Sequence, residues 1–93
     1  MDKLERKKVQ NVFVEKTVEN LPMLRASIKL TQNQLAKKLG VTRSTMVAYE
    51  SHSRPIQWNM YLAIIMVFMQ YETSAKLVEN FGLYDKKLLI DIM

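Results

Sequence analysis

Between Thr31 and Ser51 the chain reads TQNQLAKKLGVTRSTMVAYES, and its apolar positions recur at helical spacing on either side of one glycine. Leu35, Leu39, Val41, Met46 and Tyr49 fall on inner faces, while most positions between them are polar or basic. Thr31 and Gln34 have capping-box spacing, and Leu30 with Leu35 holds the two positions of a hydrophobic staple. Gly40 stands where a helix end needs a residue tolerant of positive φ. Thr42 then caps a second helix, and Val41 with Met46 repeats the staple. Ala36 is small at the place where two steeply crossing helices would touch. The pattern predicts two short helices joined by a tight glycine turn.

The rest of the chain reads as further helices around this pair. Residues 3–16 are amphipathic, with Leu4, Val12 and Phe13 as candidate buried positions, although Val12–Val14 also suits a short extended arm. A helix is expected to begin near Asn20 as N-cap, with Pro22 in its first turn and Leu21, Leu24 and Ile28 facing inward. Ser51–Pro55 reads as a polar loop. Gln57 to about Gln70 is apolar nearly all round, which predicts burial on several sides, with Met60, Met66 and Met69 as flexible core filler. Thr73 or Ser74 is expected to cap a fifth helix that runs to about Asn80 and ends at Gly82. Asp85 is placed to cap a last short helix carrying Leu88, Leu89, Ile90 and Ile92.

Composition narrows the class. Ninety-three residues, 48% hydrophobic with two Gly and two Pro, suit one all-α domain: a compact bundle of about five helices. There is no cysteine, so disulfide and thiolate chemistry are excluded. The N-terminus is charged without a following signal core, and the longest apolar run, Met60–Met69, is half the roughly 20 residues a membrane span needs. A cytoplasmic protein is expected.

Charge placement is more telling than the net +5. Residues 20–60 hold Arg25, Lys29, Lys37, Lys38, Arg43 and Arg54 against Glu50 alone. The flanking parts nearly cancel, so the excess lies on the two-helix window, as a phosphate-binding surface requires.

With the inner face fixed, Thr42, Arg43, Ser44, Val47 and Ala48 point outward from the second helix of the pair. Side chains there can reach base edges when the N-terminal part of a helix enters a major groove. A merely solvated face usually carries charge, whereas small apolar Val47 and Ala48 suit approach to a thymine methyl or the groove wall. Arg43 is the candidate for guanine readout, with a phosphate contact or a solvated charge as the alternatives. Gln32 is placed to bind a phosphate at the start of its helix, or is an ordinary exposed first-turn residue. Arg54, with Ser53, lies in the following loop, as a backbone contact or a solvated side chain.

The string L-T-Q-x-x-L-A-x-x-L-G-V-T-x-S-T followed by Y-E, from Leu30 to Glu50, closely resembles the lambda-repressor-like helix-turn-helix domains of the XRE family, which includes Cro and phage repressors. The resemblance covers roughly residues 18–70. It implies a bundle of about five helices whose second and third read double-stranded DNA, and homodimers on inverted-repeat operators. It also implies an ion pair between an Arg of the first helix and the Glu closing the recognition helix, here Arg25 and Glu50, expected to be partly buried and structural. The helix with Trp58, Tyr61, Phe68 and Met69, and the residues 71–93 that follow it, exceed a minimal reader. They thicken the core or supply a dimer surface through the fifth helix and the Leu88–Ile92 cluster.

The expected function is sequence-specific DNA binding by a transcriptional regulator, most naturally a repressor. Catalysis is not expected: His52 is the sole histidine, and no catalytic carboxylate pair, metal-ligand spacing or phosphate-cradling glycine loop is present. No cofactor is expected, nor any membrane partner. The main alternative is an antitoxin-like or other protein-interaction module acting through the C-terminal half.

Overall fold

The computed structural model describes residues 2–86. They form five helices in chain order: α1 (Lys3–Ser27), α2 (Gln32–Leu39), α3 (Arg43–Glu50), α4 (Trp58–Met69) and α5 (Glu72–Asn80), with no strand among the described residues. None of these helices is long and apolar enough to cross a membrane. The expected last helix over Leu88–Ile92 lies outside the described residues.

α1 departs most from expectation. Neither an extended arm nor a new start at Asn20 is present; one helix runs from its Asp2 cap, whose carboxylate accepts the Glu5 N–H at 2.8 Å, through Pro22. Asn20 donates its side-chain amide to the Lys16 carbonyl one turn back, 2.7 Å away, instead of capping. The reason is tertiary. Phe13, Thr17, Val18, Leu21 and Leu24 form one continuous buried stripe, and a break at Asn20 would split it. Pro22 lies on the exposed side, so its missing N–H weakens the ladder without disturbing the packed face. The same helical phase turns Leu4 and Val12 to solvent, contrary to the expected burial.

The α2–α3 pair follows its local code. Thr31 and Gln34 exchange both capping-box bonds, at 3.1 and 2.9 Å. Gly40 adopts φ 73°, and the N–H groups of Gly40 and Val41 return to the carbonyls of Lys37 and Ala36, a Schellman ending. Thr42 caps α3 by accepting the Thr45 N–H at 3.1 Å. Leu35, Ala36 and Met46 are buried behind this turn.

The same ending recurs elsewhere. Gly82 at φ 63° closes α5, with Leu83 N–H returning to the Val78 carbonyl and both side chains buried. Lys29 at φ 55° closes α1, with Leu30 N–H on the Arg25 carbonyl. His52 at φ 63° closes α3, with Ser53 N–H on the Ala48 carbonyl. Two of these left-handed positions therefore carry a side chain where glycine is preferred.

α4 matches its expected span, with Gln57 and Gln70 at its ends. Tyr61, Ile64, Ile65, Val67 and Phe68 are buried, yet Met66 is 67% exposed and Met69 38%. These two methionines are surface residues, and only Met60 packs against the core. α4 is thus apolar on more faces than its neighbours cover.

α5 begins two to three residues earlier than the Thr73 or Ser74 cap signal predicts, with Tyr71 as N-cap. Ser74 is fully buried and donates its hydroxyl to the Phe68 carbonyl at 2.6 Å, which ties the α4–α5 turn together. Ser74 and Val78, one turn apart, make the inner face, so α5 must already be helical at Ser74. The Tyr61 hydroxyl closes the other end by donating to the buried Leu83 carbonyl. Burial, reinforced by Tyr84, holds that phenol well above its ordinary value.

Candidate nucleic-acid interface

The exposed end of α3 begins at its cap. Thr42, Arg43 and Ser44 are exposed, and Val47, one turn further on, is 42% exposed. Ala48 is half-buried. The expected outward residues therefore share one side of the helix, with Ala48 set deeper than the others. Thr45, which the sequence did not single out, is half-buried beneath them and hydrogen-bonded to Thr42 at 2.9 Å.

Beside this face lies an open groove of about 650 Å³, lined by Arg25, Lys29, Leu30, Gln32, Asn33 and Arg43 among others. The N-terminal turn of α2 forms one wall and Arg43, at the start of α3, another. Gln32 and Arg43 are brought together there, which gives Arg43 access both to the groove and to the outer surface of α3. The sequence marks Lys29 only as part of the basic excess and does not single out Asn33. Lys29 enters because the left-handed end of α1 delivers its side chain to the groove, and no glycine or asparagine marks that turn in advance.

Arg54 has a different setting. Its guanidinium lies 5.9 Å from the Tyr49 ring centroid and donates to the Thr45 hydroxyl at 3.5 Å. From the loop after α3 it is laid back along the helix as far as Thr45 in the first turn. Ser53 is engaged locally, with its hydroxyl 3.3 Å from the Ala48 carbonyl.

Electrostatics follow from the fate of Glu50. The Arg25 guanidinium meets it bidentately, Nε to Oε2 and Nη2 to Oε1, both at 2.9 Å. Its third nitrogen, Nη1, donates to the Leu30 carbonyl at 3.1 Å. The side chains are 17% and 7% exposed, so the pair is partly buried. It joins the end of α1, the α1–α2 turn and the end of α3. It also consumes the only acid of the 20–60 window. Among the described residues, Lys29, Lys37, Lys38, Arg43 and Arg54 then form no ion pair. Lys38 sits 6.0 Å over the Tyr71 ring. The surface that joins the groove to α3 is cationic without local compensation.

Among the described residues no group of His, Asp and Glu could hold a metal ion. A scan against protein-family models, a search of curated proteins and a search of solved structures return no match.

Proposed function

We propose that this chain is a sequence-specific binder of double-stranded DNA, a transcriptional regulator and most simply a repressor, working in the cytoplasm. The observation that supports this most is the uncompensated cationic groove beside the α3 surface of Thr42, Arg43, Ser44 and Val47. A surface built for solvent alone would disperse its cations among acids, and here the one nearby acid is turned inward by Arg25. In this reading Lys29, Gln32 and Asn33 grip a backbone phosphate at the start of α2, and Arg43, Ser44 and Val47 meet base edges. Arg54 supports α3 through Thr45 and Tyr49 and adds positive potential. A single short reader makes few base contacts, so two copies on an inverted repeat, about 34 Å apart, complete the site.

Selection of bound sequences from random duplex DNA tests the reading directly, and a recovered motif with twofold symmetry is the expected result. Binding should also weaken steeply with salt, because each neutralised phosphate releases counterion. A log–log slope near zero refutes groove docking. Arg43→Ala and Ser44→Ala should abolish function while Leu89→Asp spares it; the reverse pattern assigns function to a protein partner of the C-terminal half.

A further inference from the structure

We infer that the cleft between α1 and the loop joining α3 to α4 binds a free α-amino acid with an apolar side chain, its carboxylate on Arg54 and His52 and its ammonium on Glu15. The cleft holds about 320 Å³, at the small end of the roughly 300–1,000 Å³ of ligand pockets. Asn11, Glu15 and Val18 follow at spacings of four and three, so one face of α1 supplies one wall. Tyr49, near the end of α3, and the loop residues His52, Arg54 and Ile56 supply the other. Val18, Tyr49 and Ile56 are buried and make an apolar floor, while Glu15, His52 and Arg54 are exposed at its rim.

The rim is unmatched. Glu15 and Arg54 line one cleft without pairing, since the ion pairs among the described residues are Arg25–Glu50 and Lys76–Glu72. The contacts of Arg54 are loose. At 3.5 Å its bond to the Thr45 hydroxyl exceeds an ordinary N–H to oxygen distance, and at 5.9 Å it stands at the outer reach of the Tyr49 ring. A carboxylate, which can accept two parallel N–H bonds from a guanidinium, outcompetes both. His52 adds an independent sign. It holds φ 63°, a left-handed conformation that strains every residue but glycine and concentrates at functional sites. Glycine would close α3 there without strain, whereas histidine brings an imidazole to the cleft.

Charge selects the ligand. Arg54 alone would take any small anion, and Glu15 alone any amine. Together they disfavour a phosphate ester, whose charge meets Glu15, and a bare amine, whose charge meets Arg54. A molecule carrying both charges and an apolar body satisfies the two ends of the rim and the floor at once. The outer face of α3 takes no part, so this inference goes beyond DNA binding and does not depend on it.

Titration of the full chain without DNA, using leucine, methionine and phenylalanine and read by amide NMR, tests the site. At least one should give saturable shifts clustered on residues 11–18 and 49–56. The deaminated and decarboxylated analogues of the best binder (isocaproate and isoamylamine for leucine) should each bind at least about tenfold more weakly, the loss of one charge-assisted contact. Glu15→Gln and Arg54→Met should cost a similar factor with helicity by circular dichroism unchanged. His52→Gly should bind more weakly yet unfold at higher denaturant, an opposition that a merely structural histidine would not show. No saturable shift from any of the three amino acids, or an analogue or rim variant that leaves the affinity unchanged, overturns the inference. The DNA reading predicts nothing for this titration, so its failure and that of the amino-acid site are separable.

Discussion

Replacing Glu50 by alanine removes the carboxylate that Arg25 grips with two nitrogens at 2.9 Å. The consequence can be bounded. An exposed ion pair contributes below about 1 kcal/mol, and breaking a fully buried one costs about 3–5 kcal/mol. Here the acid is 7% exposed and the base 17% exposed. The Leu30 carbonyl still accepts from Nη1, so one contact of the orphaned guanidinium survives. We therefore expect a loss of about 2–3 kcal/mol, between the two limits. For a domain of this size each kcal/mol shifts Tm by about 4–8 °C, so thermal unfolding followed by circular dichroism should show a drop of about 10–20 °C. Glu50→Gln retains one acceptor and should fall less. A double-mutant cycle with Arg25→Met isolates the pair, and the double variant should recover part of the loss, because it leaves no buried charge unpaired. An unchanged Tm for Glu50→Ala would show that water reaches the guanidinium freely, and the structural role given to the pair would be wrong.

Three further outcomes follow from local geometry. Gly40→Ala should cost about 1 kcal/mol from backbone strain alone, since an added Cβ meets nothing within 4 Å at φ 73°; His52→Gly, at φ 63°, should gain a similar amount, and opposite signs in denaturant midpoints check both. Thr17→Val should stabilise by about 1 kcal/mol, because the buried Thr17 hydroxyl has no hydrogen-bond partner among the described residues, and a lower midpoint would reveal an unseen one. The raised Tyr61 value means its contribution is whole below the ordinary tyrosine pKa of about 10 and is lost as pH rises toward the folded value. Alkaline titration should therefore show stability falling above pH ~10 less steeply in Tyr61→Phe, with about 1–2 kcal/mol already lost at neutral pH from the orphaned Leu83 carbonyl.

What was legible in the sequence was local. The caps of Thr31 and Thr42 and the Gly40 turn are set by residues within about one helical turn of each other, and they stand where the pattern places them, as do the bounds of α4. The errors arose where burial across the molecule overruled a local signal. Asn20 and Pro22 look like a helix start, yet the stripe from Phe13 to Leu24 keeps α1 whole. Ser74 looks like a cap, yet its hydroxyl is used inside, on Phe68. Uniform apolarity along α4 does not show which faces are covered: it predicts core positions for Met66 and Met69, and the structure exposes both. For the candidate site, the residues on α3 were readable from helical phase. Lys29 and Asn33 were not, because a lysine at φ 55° carries no turn signature and the groove exists only once α1, α2 and α3 are assembled.

The unbroken α1 has a consequence for dissection. It packs against α3, α4 and α5, so the first and last of the five helices share one core. A fragment trimmed to residues 18–70 would lose Phe13 and Thr17 from one side and Ser74, Val78 and Leu83 from the other, all of them buried. The α2–α3 unit is compact in sequence but not self-sufficient. Grafting it elsewhere requires a host that supplies both a long supporting helix and a lid, and random insertions that separate α1 from α5 should inactivate the protein even when every residue of the candidate interface is intact.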